Sequence, residues 1–205
     1  MKLFFVPGSP YARMVRVALM ETGLAGQVEE IEVTLRDPAS ALLPHNPVGR
    51  VPSLMLDSGV VLSETILILT VLDRMHGGRP LLPLDGADGW QHHQDMGRAV
   101  GMLDGIAVWN RELRRPVHER SPGLLVLEDT RANRTADAIE ALVAQGGYTG
   151  PLNAAQIALA SALGYVDRRH TVWAWRDARP HLAKWFEALT DRPSFQTTVP
   201  PPSGI

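Results

Sequence analysis

The chain has 205 residues, of which 45% are hydrophobic and 20% charged, and a formal net charge of −2; that balance gives no electrostatic case for binding nucleic acid or an anionic membrane surface. Cysteine is absent, which excludes disulfides, thiolate nucleophiles and cysteine-based zinc or iron–sulfur sites. No segment approaches the roughly 20 apolar residues that span a bilayer, and the apolar run Leu3 to Val6 is too short for a signal-peptide core, so a cytoplasmic protein is expected.

Strand-like runs occur in the first third only, at Leu3 to Val6, Glu29 to Val33, Ser53 to Leu56 and Val60 to Leu62. Residues 7 to 18, PGSPYARMVRVA, carry the first run through Gly8, Ser9 and Pro10 into a helical pattern. In that pattern Val15, Ala18, Leu19 and Thr22 recur at i, i+3, i+4 and i+7, and Gly23 stands where a helix ends in the left-handed conformation. A strand, helix, strand unit of this length implies parallel pairing with a right-handed crossover. Asp57, Ser58 and Gly59 separate the last two runs and signal a hairpin. A second helix is expected after Glu64, carried by Ile66, Leu69, Val71 and Leu72 and ending at Gly77 and Gly78.

From Arg79 the sequence RPLLPLDGADG is rich in Pro and Gly, and no alternation of period 2 follows it. Helices are expected to start near residues 88, 123, 153 and 179. Asn153 with Gln156 makes a capping-box variant, and Pro180 suits the first turn of the last helix. The expected architecture is α/β plus all-α, with residues 1–78 as a small α/β domain, 79–88 as a linker and 89–205 as a helical domain.

With SPYAR at the first helix, NPVGRVP before the hairpin and SET opening the next helix, the chain resembles the glutathione S-transferase superfamily over nearly its whole length. The likeness is to small bacterial members that carry a segment like ALGYVDRR followed by RPHL. It implies a thioredoxin-like domain followed by a helical bundle, glutathione as co-substrate, no metal, a small electrophile as second substrate, and a homodimer. One departure is that the family commonly places Ser or Thr with Asp where Asn153 and Gln156 stand here.

Glutathione reacts through a thiol whose pKa should lie near the ~8.5 of cysteine, leaving only a few per cent thiolate at pH 7. Lowering that value by about 2 units takes roughly 2.7 kcal/mol of preferential stabilisation of the anion. Ser9, at the start of a helix, suits this task through a hydroxyl hydrogen bond and the positive potential of the helix amides. It is equally well placed as an N-cap before Pro10. Tyr11 is an alternative donor, turned by its position toward the second-substrate pocket.

The resemblance also makes the Val51-Pro52 bond cis and gives the Val51 backbone to the cysteinyl part of glutathione. It places Arg50 near the glycyl carboxylate, against a rival role as a solvated surface arginine. Glu64 and Thr65 match the family's pair for the γ-glutamyl end, whose carboxylate suits a helix start and whose ammonium suits Glu64; the helix dipole alone would also favour Glu64 there. Arg13 is read as a support of the first helix or of the domain interface. Met102, Ile106 and Trp109 share a stripe most often buried as core, and Trp109 is also a candidate wall of the electrophile pocket.

His92 and His93 point about 100° apart on a helix and are expected on its solvated face rather than around a metal. Trp173 and Trp175 are expected to pack within a loop. Zincin, nucleophile-elbow, P-loop and dinucleotide-binding motifs are not seen. Two other readings stand beside catalysis: a non-catalytic binding member with the same anchoring residues, and a disulfide reductase, which the absence of cysteine disfavours.

Overall fold

A computed structural model describes residues 1–83 and 85–203. Strand β1 (Lys2–Phe5) is buried on both faces, with Leu3 and Phe5 in the main core and Phe4 on the opposite side with Val33 and Leu42. A strand covered on both sides belongs inside a sheet, and β1 pairs parallel with β2 (Glu29–Glu32) and antiparallel with β3 (Ser53–Met55). Strand β4 (Val61–Ser63) completes the order β2-β1-β3-β4. The register sets Phe4 opposite Ile31, Leu3 opposite Leu54 and Leu54 opposite Leu62. Observed and expected strand ends differ by one residue, the ordinary margin of fraying termini. The outer strand β2 reads EEIE, and its charged side chains discourage further pairing at that edge.

Helix α1 (Pro10–Glu21) starts at Ser9 and ends as expected. Gly23 has φ of 73°, its N–H donates to the Met20 carbonyl at 3.2 Å, and the Leu24 N–H donates to the Leu19 carbonyl at 2.9 Å. These two bonds satisfy carbonyls that a helix end otherwise leaves open. Helix α2 (Thr65–Asp73) contains its apolar pattern but stops short of the end expected at Gly77 and Gly78. The Asp73 carboxylate turns to accept the N–H groups of Leu81 (2.9 Å) and Leu82 (2.6 Å), which fastens the following loop to the end of the helix.

Helices α3 (Gly86–Leu113), α4 (Pro122–Ala144), α5 (Ala154–Arg169) and α6 (Pro180–Thr190) begin within two residues of the expected positions, and a short α7 (Pro193–Gln196) was not foreseen. Helix α5 is the centre of the molecule: residues 154 to 166 are all buried, and it packs against α1, α3 and α6. Its start carries both bonds of the capping box, from the Gln156 N–H to Asn153 Oδ1 at 3.0 Å and from the Asn153 N–H to Gln156 Oε1 at 2.9 Å. Arg13 joins α1 to this centre, as read from the sequence. Its buried guanidinium donates to the Phe195 carbonyl at 3.0 Å and Thr198 Oγ1 at 3.3 Å, and burial pushes its pKa down to about 10. Gly164 gives it room, since a Cβ there would lie 2.2 Å from Arg13 Nη1.

Trp173 and Trp175 pack in the loop after α5, donating their indole N–H groups to Asn133 Oδ1 (3.0 Å) and Asp167 Oδ1 (2.8 Å). The solvated histidine face needs correction. His93 is exposed, whereas His92 is buried with neither ring nitrogen hydrogen-bonded, because the turn of the helix puts it on the inward side. Among the described residues no group of three or more His, Asp or Glu could hold a metal ion, no strand follows β4, and no helix is long and apolar enough to cross a membrane.

Candidate active site

A cleft of about 510 Å³ opens where the β1–α1 turn, the loop before β3, the start of α2 and one face of α3 meet. Ser9, Tyr11, Arg50, Val51, Glu64 and Thr65 all line it. Residues separated by up to 56 positions thus share one cavity.

Ser9 has extended backbone (φ −85°, ψ 117°) and serves as N-cap, its Oγ accepting the Ala12 N–H at 3.2 Å. A serine hydroxyl has two acceptor lone pairs and one proton to donate. Capping uses a lone pair. Among the described residues nothing accepts the proton, so the capping bond leaves that proton available to a ligand. Tyr11 differs. Its hydroxyl donates to the Asp104 carboxylate, and burial together with that carboxylate pushes its pKa well above the ordinary value for tyrosine. The tyrosine proton is therefore already committed.

The loop 46–53 owes its shape to two buried polar residues. Asn46 accepts the Val48 N–H at 3.0 Å and donates to Ser53 Oγ at 2.9 Å, while the Ser53 hydroxyl donates to the Arg50 carbonyl at 2.8 Å. With φ of 65° at Gly49, this cage turns Arg50 and Val51 to the cleft, and the Val51-Pro52 bond is cis. Among the described residues the Val51 backbone N–H and C=O have no partner. Arg50 is exposed and in no ion pair with any described residue, so its side chain is both solvated and at the cleft.

Glu64 stands at the N-cap position of α2 with φ of 70° and ψ of 120°, and its side chain makes no capping bond. Holding a residue other than glycine at such angles costs on the order of 1–3 kcal/mol, a strain that folds retain mainly where function needs the placement. Here it leaves the carboxylate to the cleft. Buried Thr65 lines the same cavity at the start of α2, where the first N–H groups of a helix have no partner within it.

Trp109 does not line the cleft, which corrects its candidacy. It is 7% exposed and packs edge-on against His170, with ring centroids 4.5 Å apart, in the core stripe of Met102 and Ile106. The cleft-facing stripe of α3 is Asp104, Val108 and Arg111, at i, i+4 and i+7.

The profile of the glutathione S-transferase N-terminal domain matches residues 3–80, and that of the C-terminal domain matches residues 127–188. The chain is 31% identical over 202 residues to the uncharacterised GST-like protein YibF of Escherichia coli K12, spanning 98% of this chain and 99% of that relative. The chain belongs to the glutathione S-transferase family. A glutathione transferase family member from Pseudomonas fluorescens Pf-5, solved with bound glutathione, superposes with a TM-score of 0.90 at 36% identity, covering 98% of each chain. A glutathione S-transferase from Methylobacillus flagellatus, also solved with glutathione bound, gives 0.89 at 28% identity over 97% of this chain and 98% of that one.

As a member of the glutathione S-transferase family the chain has the family's N-terminal thioredoxin-like and C-terminal helical domains. Its cleft offers an uncommitted hydroxyl at one helix start, open amides at another, a free carboxylate and an exposed backbone edge. Residues passed over in the sequence complete it. Asn46 and Ser53 shape the loop, Asp104 holds Tyr11, and Leu35, Val48, Val108 and Arg111 form further wall.

Proposed function

We propose that the protein binds glutathione in this cleft, holds its sulfur as thiolate and conjugates it to a small electrophile. The observation that carries the reading is the convergence of Ser9, Val51, Glu64 and Thr65 on one cavity, with the hydroxyl proton of Ser9 uncommitted. In this reading Ser9 donates to the sulfur and the Val51 backbone pairs with the cysteinyl residue. The Glu64 carboxylate faces the γ-glutamyl ammonium, Thr65 and the α2 amides face its carboxylate, and Arg50 faces the glycyl carboxylate. Residues 1–78 hold glutathione, 79–88 connect, and 89–205 bring the electrophile wall, where Asp104 holds Tyr11 of the first domain against it.

Glu64→Ala separates anchoring from activation. Truncating one partner of a charge-assisted contact costs about 1.5–3 kcal/mol, so calorimetric titration should show glutathione bound roughly 10- to 150-fold more weakly, with melting temperature little changed. Unaltered affinity would remove Glu64 from the site. Wild-type protein that binds glutathione yet turns over no member of an electrophile panel would favour a non-catalytic binding protein instead.

We further propose that the protein is a homodimer. Helix α2 is apolar nearly all round, and the chain's own helical domain does not cover the surplus: Ile66 is 42% and Leu67 59% exposed, with Met75 and Trp90 exposed as well. Large apolar side chains gathered on α2, just beyond its end and at the start of α3 are costly to leave in water. Sedimentation equilibrium should give twice the 22.4 kDa chain mass, and Leu67→Glu should shift it toward the monomer. A monomer mass for the wild type at micromolar concentration contradicts the proposal.

A further inference from the structure

The α3 wall of the cleft is not the apolar surface that a purely hydrophobic electrophile would need. Asp104 and Arg111 lie two turns apart on one stripe, about 10 Å along the helix, with Val108 between them. They are not equivalent. Asp104 has its carboxylate engaged by the Tyr11 hydroxyl, whereas the Arg111 side chain has no hydrogen bond or ion pair with any described residue. Two more guanidiniums stand near this end. Arg114 Nη2 donates to Ser203 Oγ at 2.6 Å and Arg169 Nη1 to the Pro201 carbonyl at 3.0 Å. These acceptors are neutral, so neither charge is cancelled.

Arg169 is tied to the site by geometry. The Arg169 guanidinium lies against the loop that delivers Ser9, 2.6 Å from where a Cβ on Gly8 would stand. The buried Tyr165 phenol, whose pKa burial raises, feels the opposing field of Arg114, Arg169 and Arg111 together. Arg111 therefore stands in the cleft wall without a carboxylate partner among the described residues, and Arg169 stands behind the Gly8 turn.

Resting on the proposed thiol-transfer reading, we infer that the electrophile is a small carboxylate-bearing molecule whose anionic group is held by Arg111, with the field of Arg114 and Arg169 behind it. In the reaction, the thiol proton leaves to solvent and the sulfur lone pair forms the carbon–sulfur bond. The leaving group departs with its bonding pair, or, at a carbon–carbon double bond conjugated to the acid, the displaced pair takes a proton from water. The carboxylate takes no part in bond making. It orients the reacting carbon and concentrates the substrate.

The test measures affinities of S-(ω-carboxyalkyl)glutathiones with one to four methylenes against the matching amides, which differ in charge but hardly in size, with glutathione itself as reference. The best acid should bind up to about fivefold more tightly than its amide at low ionic strength, the scale of an exposed charge pair, and the preference should shrink as salt is raised. Arg111→Gln should abolish the preference and Arg111→Lys should keep part of it. Glutathione binding with acid and amide equal at every length overturns this inference alone, as does Arg111→Gln weakening acid, amide and glutathione equally. Failure of glutathione itself to bind overturns the underlying reading, and this inference with it.

Discussion

Acidification from pH 7 to pH 4 is expected to cost the fold on the order of 3 kcal/mol through one side chain, His170. The ring is fully buried after α5, stacked edge-on against Trp109, with Nδ1 facing the Asn110 amide at 3.4 Å and Nε2 without a partner. Burial holds its pKa down to about 4, against 6.5 in an unfolded chain. The unfolded state therefore takes up the proton first as pH falls. The contribution is intact above about pH 6.5, declines through the window to about pH 4 and changes no further below it. Urea unfolding at several pH values should show this slope in the wild type. His170→Gln, which cannot titrate, should flatten it even if the variant is less stable throughout. Other groups contribute, His92 in the same direction, so the wild-type-minus-variant difference isolates His170. Parallel pH profiles for the two proteins would show that His170 is not the acid-sensitive group.

Ser9→Ala is expected to lower turnover near pH 6.5 by about 10- to 100-fold, because a hydrogen bond to a charged group is worth about 1.5–3 kcal/mol. The same change removes the acceptor of the Ala12 N–H, so about 0.5–2 kcal/mol of stability should go with it. Two companions separate these effects. Ser9→Asp restores a capping oxygen but offers no proton and sets a negative charge beside the sulfur, so stability should recover while turnover stays low. Tyr11→Phe should cost only a few-fold, since that hydroxyl is already given to Asp104. Turnover restored by Ser9→Asp, or a larger loss in Tyr11→Phe than in Ser9→Ala, would transfer the donor role away from Ser9.

What could be read from the sequence was whatever depends on neighbours along the chain. The cap at Ser9, the helix stop at Gly23, the hairpin around Gly59 and the capping box of Asn153 and Gln156 are local arrangements with local residue requirements, and each stands where its residues suggested. The cis bond at Val51-Pro52 came from family resemblance alone.

What could not be read depends on how elements pack. Helix α3 packs against both α4 and α5, so its inner side is wider than the one stripe of Met102, Ile106 and Trp109. Trp109, which the family resemblance made a candidate pocket wall, turns inward to His170, while Asp104 and Arg111, ordinary surface types in a sequence, line the cleft. His92 misleads for the same reason, buried one position from an exposed neighbour. Glu64 carries no sign of its positive φ, because strain of that kind belongs to the assembled loop and not to the residue type. Asn46 looks like any turn residue until Ser53 is brought against it.

The central claim is that Ser9 holds the sulfur of bound glutathione as thiolate, and ultraviolet titration of the thiolate in the complex addresses it most directly. The wild-type complex should titrate about 2 units below the ~8.5 of an unperturbed thiol. Ser9→Ala should move the value up by a unit or more while glutathione remains bound through Val51, Glu64 and Thr65. A bound thiol that titrates at its free value in the wild type, or a depressed value that Ser9→Ala leaves unchanged, would contradict the claim.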